Sequence, residues 1–176
     1  MLFTILALLV LVLGVREVLF ALYPFPYRSV IDAAAASNGL DPRLLAAVVR
    51  TESGFRSDAA SHAQALGLMQ IEPSTGAWIA GKTGLASFST LDLMNPQTNV
   101  RMGAWYLNNL RQQLGGRMLP AVAAYNAGPQ PVSRWLAAGT WSGSAADADR
   151  IPFGETRVFV QRVLASYRMY RLLYPG

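Results

Sequence analysis

The chain has no cysteine and a single histidine, His62. Disulfides and thiolate metal sites are therefore excluded, as is a lipid-carrying cysteine anchor, and one imidazole cannot form a His-pair metal site. No metal and no cofactor are expected. Charged residues are scarce at 14%, and only four of the ten acids are glutamates: Glu17, Glu52, Glu72 and Glu155. Strict apolar–polar alternation is almost absent, which argues against a sheet protein. There is no internal repeat and no low-complexity tract. Basic residues do not cluster between aromatics, so nothing beyond overall basicity suggests nucleic-acid binding. The net charge of +5 and pI near 10.0 favour an anionic partner such as a cell wall.

What the chain does have begins with an apolar run. Leu2 to Val15 is interrupted by Arg16-Glu17 and resumes from Val18 to Tyr23. Residues 1–23 read as a signal-anchor or transmembrane segment, with a cleaved signal and a core helix as alternatives. No Lys or Arg precedes the run, and Ala21 is the only small residue near its end. Residues 24–27, within Tyr23-Pro24-Phe25-Pro26-Tyr27, form a stiff linker. Residues 28–176 then suit one mainly helical domain.

Turn signals divide that domain. Ser29 with Asp32 resembles a capping box, and Asn38-Gly39 closes the helix that follows. Asp41-Pro42, Pro73, Asn95-Pro96, Pro120 and Pro131 each mark a helix start. Thr140 to Asp149 is rich in Ser, Gly, Ala and Asp and reads as a mobile loop carrying an exposed Trp141. Glu155 to Leu173 forms the last helix.

The most informative residue is Glu52. Leu45, Val48, Val49 and Glu52 share one helical face, so the carboxyl extends a stripe directed at the core. Burial disfavours its charged form and raises its pKa, and a helix C-terminal end acts in the same direction. A carboxylic acid still protonated near neutral pH is what glycosidic bond cleavage needs as general acid. The plain alternative is a last-turn glutamate bending into solvent.

Five motifs occur in order: Glu52-Ser53-Gly54-Phe55, Ala59-Ala60-Ser61, Gly67-Leu68-Met69-Gln70, Ala124-Tyr125-Asn126-Ala127-Gly128, and Ile151-Pro152-Phe153-Gly154-Glu155-Thr156-Arg157. Together they resemble the soluble lytic transglycosylase catalytic domain, a bacterial relative of goose-type lysozyme. The resemblance implies a lysozyme-like helical fold and peptidoglycan strands as substrate. It implies cleavage of the β-1,4 bond between N-acetylmuramic acid and N-acetylglucosamine without water, with Glu52 as acid and then base. It also implies substrate contacts by Ser61, Gln70, Tyr125, Asn126 and Glu155, with Tyr125 aimed at the cleavage site. Each has a structural alternative: a polar turn for Ser61, a core aromatic for Tyr125, a turn cap for Asn126 and a helix-dipole partner for Glu155. Leu68 and Met69 read as core.

The chain departs from the family pattern at Glu72, where many members carry an apolar residue. Glu72 is either an N-cap-like acid before Pro73 or a second carboxyl in the groove, able to activate water. The rivals are a muramidase on the same scaffold and a catalytically silent, membrane-tethered glycan-binding module. The expectation is a monomer held on the membrane by one span, with its domain outside the cytoplasm, in the periplasm or cell wall.

Overall fold

Proline, asparagine and glycine set the rhythm of the chain in the computed structural model, which describes residues 2–85 and 87–175. Among the described residues there are eight α-helices: α1 (Leu2–Leu22), α2 (Arg28–Asn38), α3 (Pro42–Ser53), α4 (Pro73–Thr83), α5 (Pro96–Gln113), α6 (Met118–Ala127), α7 (Pro129–Ala137) and α8 (Gly154–Leu173). Short 3-10 turns cover Thr90–Met94 and Ala145–Arg150. Among the described residues the only β pairing is two isolated antiparallel bridges, Ala60 with Leu66 and Leu66 with Ile71. The fold is mainly α, as the lack of alternation predicts.

Helix α3 lies at the centre. Asp41 caps it by accepting the Arg43 N–H at 2.9 Å, Pro42 fills the first position, and left-handed Gly54 closes it. Leu45, Ala46, Ala47, Val48 and Val49 are all fully buried, so apolar contact surrounds the helix on nearly every side. Its principal partner is α8, tied to it also by the Tyr167 hydroxyl donating to Asp41 Oδ2 at 2.8 Å. Helices α2 and α5 form a second packed pair, and α6 joins α5 to α8.

Four readings need correction. Ser29 and Asp32 do not form a capping box. Tyr27 turns through φ 56° and starts α2 at Arg28, which places Ser29 inside the first turn and leaves Asp32 facing Arg28 at 3.6 Å. Helix α6 starts at Met118, so Pro120 falls in its first turn, where a missing N–H costs nothing. Helix α7 starts at Pro129 rather than Pro131 for the same reason. The segment 140–149 is no open loop, because Trp141 is 0% exposed and donates its indole N–H to the Ser144 carbonyl at 3.0 Å. The Asp147 carboxylate accepts from the Ser142 N–H and hydroxyl, and Arg117 donates to the Ser142 carbonyl.

Helix α1 stands apart. Phe3–Leu22 is long and apolar enough to cross a bilayer, and most of its side chains are exposed. Its far end is fastened to α8. Phe20 meets Tyr174 edge-on at 5.3 Å, and Tyr23 and Phe25 meet Tyr170 at 6.1 and 5.4 Å. The Tyr170 and Tyr174 hydroxyls donate to the Pro24 and Tyr23 carbonyls at 2.8 and 2.9 Å. Arg50 lies over the Tyr23 ring at 4.4 Å and Arg28 over Phe25 at 5.7 Å. The linker is thus held by its own carbonyls.

Candidate active site

Glu52 sits in the last turn of α3, where the apolar stripe ends and the chain must turn back. Ser53 anchors this point, its buried hydroxyl placed against the Val49 and Leu68 carbonyls at 3.2 and 2.8 Å. Gly54 and Phe55 both take positive φ, 60° and 65°, and swing the chain into the loop that runs to Glu72. Such a value is common for glycine but costs a residue like phenylalanine free energy, which the burial of its ring offsets.

That loop is held from below by Asn99 of α5, a fully buried side chain. Its Oδ1 accepts the Met69 N–H at 2.7 Å, and its Nδ2 donates to the Leu66 and Leu93 carbonyls at 2.9 and 2.8 Å. Gly67, at φ 73°, lies so close that a Cβ would strike the Leu93 carbonyl and Asn99. A Cβ on Gly103 would likewise strike Met69. Leu68 and Met69 are fully buried, as expected of core residues. Asn99 and Gly103 escaped the sequence reading. The available signal was an Asn and a Gly placed four apart on the apolar face of α5, where a buried amide requires partners.

Glu52 itself is partly buried and makes no ion pair with any described residue. Loss of hydration is the main cause of a pKa raised to about 8, and the neighbouring Glu155 carboxylate adds to it. Glu155 lies in the first turn of α8 and is exposed. The fold therefore brings the first and last of the five motifs together. Tyr125 is also brought in. Burial raises its pKa well above the phenol range, and the Glu52 charge adds to the shift. Its hydroxyl donates to the Met69 carbonyl at 2.9 Å, so its proton is not directed at Glu52.

The other expected contacts divide. Gln70 holds a strained φ of 48° and donates its amide to the Gly67 and Ala59 carbonyls at 2.9 and 3.2 Å. Asn126 accepts the Thr156 hydroxyl at 2.6 Å, joining the end of α6 to the start of α8 beside Glu155. Its amide N–H groups have no partner among the described residues. Both residues line a groove of about 280 Å³ with Glu72, Thr75, Tyr106 and Tyr125. Ser61 is exposed, and its hydroxyl accepts the Ala65 N–H at 3.0 Å, closing a turn with no bond to Glu52. Arg157 donates to the Asp149 and Ile151 carbonyls.

Glu72 takes the N-cap backbone position of α4, yet its side chain caps nothing and faces the groove. Among the tryptophans the exposed one is Trp78, at 42%, where Trp141 had been expected. A larger hollow of about 470 Å³ between α2 and α5 contains neither a carboxyl nor an aromatic ring, so size does not identify the site. Among the described residues no group of three or more metal-ligating side chains comes together.

Comparison with known proteins identifies the family and supports the fold. A family model described as the transglycosylase SLT domain matches residues 29–147. The soluble lytic murein transglycosylase of Escherichia coli K12 is 33% identical over 153 residues, which cover 85% of this chain and 23% of that protein. The membrane-bound lytic murein transglycosylase C of Cronobacter sakazakii is also 33% identical, with coverage of 82% and 46%. The crystal structure of the 70 kDa soluble lytic transglycosylase from Escherichia coli superposes with a TM-score of 0.81 at 32% identity, over 90% of this chain and 26% of that one. An inactive Glu-to-Gln mutant of lytic transglycosylase Slt from Pseudomonas aeruginosa gives 0.77 at 37%, over 85% and 24%. The chain thus spans about a quarter of the length of its soluble relatives.

Proposed function

The chain belongs to the transglycosylase SLT domain family, and from that premise we propose that it is a peptidoglycan lytic transglycosylase. The observation that carries this reading is Glu52, a carboxyl with no cation partner and a pKa raised to about 8. At neutral pH it is mostly protonated and can give its proton to the oxygen bridging N-acetylmuramic acid and N-acetylglucosamine. That bond breaks and the glucosamine side leaves as an alcohol. The acetamido group of the muramic sugar supports the electron-poor anomeric carbon, so one enzyme carboxyl suffices. The Glu52 carboxylate then takes the proton of the muramoyl C6 hydroxyl as that oxygen bonds to the anomeric carbon. A 1,6-anhydro end forms, no water is consumed and Glu52 is protonated again.

Tyr125, Gln70, Asn126 and Glu155 shape the surroundings. Tyr125 keeps the loop at Met69 in place, and Glu155 helps Glu52 retain its proton. Ser61 retains a free hydroxyl proton for a substrate acetamido oxygen. Hydrolysis is the second reading, since Glu72 could activate water. Burial raises the Tyr106 pKa and the Glu72 charge adds to it, whereas the charge that adds to the effect of burial on Glu52 is that of Glu155. Anhydro ends should therefore dominate. Residues 1–23 act as a single-pass anchor, residues 24–27 as its fastened linker, and residues 28–176 as a monomeric catalytic domain outside the cytoplasm.

Digestion of purified murein by the wild-type chain and by Glu52→Gln, with products read by mass, tests the assignment. Anhydro ends are one water lighter than reducing ends. Loss of a general acid predicts activity down by about 10²–10⁴-fold. Mostly reducing ends would point to a muramidase. A Glu52→Gln chain that clears walls as well as wild type would point to a binding module.

A further inference from the structure

The groove does not end at Tyr125. The hollow holding Glu72 and Asn126 shares Thr75 and Tyr106 with a second one of about 350 Å³, bordered by Trp78, Gln113 and Pro129. A ladder of rings follows it outward. Tyr125 lies 5.5 Å from Tyr106, Tyr106 lies 6.0 Å from Trp78, and Trp78 lies 5.6 Å from Trp105. The outermost of these rings to open to solvent is Trp78, at 42% exposure.

Beside the ladder stands Glu72. Its carboxylate could have accepted an N–H of α4 and does not, and its side chain makes no hydrogen bond or ion pair among the described residues. No Lys or Arg lines either hollow, although the chain carries a net charge of +5. On a cationic protein this stretch is locally anionic and aromatic.

We propose that Glu72, with Tyr106 and Trp78, forms a recognition site for a primary ammonium group carried by the wall polymer close to the bond being cut. This rests on the lytic transglycosylase reading. A carboxylate attracts the full charge, and aromatic faces add a cation–π contribution that an uncharged sugar does not provoke. An uncharged sugar can stack on Trp78 and donate hydroxyls to Glu72, but only an ammonium opposes a full charge of its own to the carboxylate. Two carriers share the chemistry: the side-chain amine of a diamino acid in a stem peptide, and a glucosamine that has lost its acetyl group.

The test uses the full chain with Glu52→Gln, which prevents turnover, titrated with soluble muropeptide oligomers and followed by tryptophan fluorescence. Fragments with free peptide amines should bind about tenfold tighter than the same fragments acetylated on those amines. Peptide-free strands with and without de-N-acetylated glucosamine form the second arm, and the arm showing the preference identifies the carrier. Adding Glu72→Gln should abolish the preference, with free-amine fragments losing far more affinity than acetylated ones. Equal affinity in both arms, or a preference that survives Glu72→Gln, overturns the proposal. Anhydro products made by the wild-type chain from the same fragments are scored separately. Their absence would count against the lytic reading, while equal affinities would remove the ammonium site alone.

Discussion

The two ends of α8 are built on opposite principles. At its start, Glu155 faces the partly buried Glu52, and the loop opposite contains positive-φ residues that are not glycine, among them Phe55, Gln64 and Gln70. At its other end, Tyr170 and Tyr174 give their hydroxyls to backbone carbonyls while their rings pack edge-on against Phe20, Tyr23 and Phe25. Burial there raises the Tyr170 hydroxyl pKa to about 12, so it remains a donor across the physiological range. One end accumulates strain and like charge, and the other satisfies its polar groups. Strain and satisfied packing are thus separated along one helix, which is how a region can remain uncomfortable without unfolding its scaffold.

The support beneath the reactive end gives the largest expected effect. Asn99→Leu removes three hydrogen bonds; it leaves the buried Met69 N–H and Leu93 carbonyl without partners and the Leu66 carbonyl with the Ile71 N–H alone. The chain should lose about 3 kcal/mol or more in chemical denaturation, and activity should fall with it. A loss under about 1 kcal/mol would mean that the loop does not rest on Asn99.

Glu52→Gln should act in the other direction on stability. The folded pKa lies above the unfolded value, so below about pH 4.5 both states are protonated and the exchange is close to neutral. As pH rises from there towards about 8, the unfolded chain releases a proton that the folded chain keeps, and wild-type stability falls. The variant should therefore be more stable than wild type by a few kcal/mol at pH 8, that is about 2 or more. Thermal melts at pH 4.5 and pH 8 check this, and equal differences at both would deny the burial of the charge.

At the quiet end, Tyr170→Phe and Tyr174→Phe should each cost about 1 kcal/mol of unfolding free energy, with turnover of soluble fragments unchanged. A drop in turnover would break the separation between the two ends. The smallest effect belongs to Glu155→Gln. Removing a like charge should lower the Glu52 pKa, so the alkaline limb of the pH–activity profile moves down by about half a unit or less. An upward move would contradict the arrangement of the two carboxyls.

Most of the helical frame was legible because its signals are local. Asp41-Pro42, Pro73 and Asn95-Pro96 each restrict φ, Asp41 and Asn95 add a side-chain cap, and Gly39 and Gly54 provide the left-handed ends. Glu52 was legible because helical periodicity carried its carboxyl onto the buried face. The buried Trp141 was not, since composition described Ser142 to Asp147 as polar while their hydrogen bonds to one another and to Arg117 remained hidden. The same limit applied to Asn99, whose three partners lie in two separate stretches of chain. Ser29 looked like a cap because nothing local reveals that Tyr27 would take a left-handed turn.

The fastened linker carries a mechanical consequence. Because the Pro24 and Tyr23 carbonyls are occupied by the Tyr170 and Tyr174 hydroxyls, α1 and the body are joined without slack. Helix α8, with its 20 residues, is about 30 Å long and links the clasp to the crevice as a strut. With α1 embedded in a bilayer, the crevice would sweep only the thin shell of polymer within one body-length of the lipid, so that proximity would choose which bonds are cut before any chemistry does.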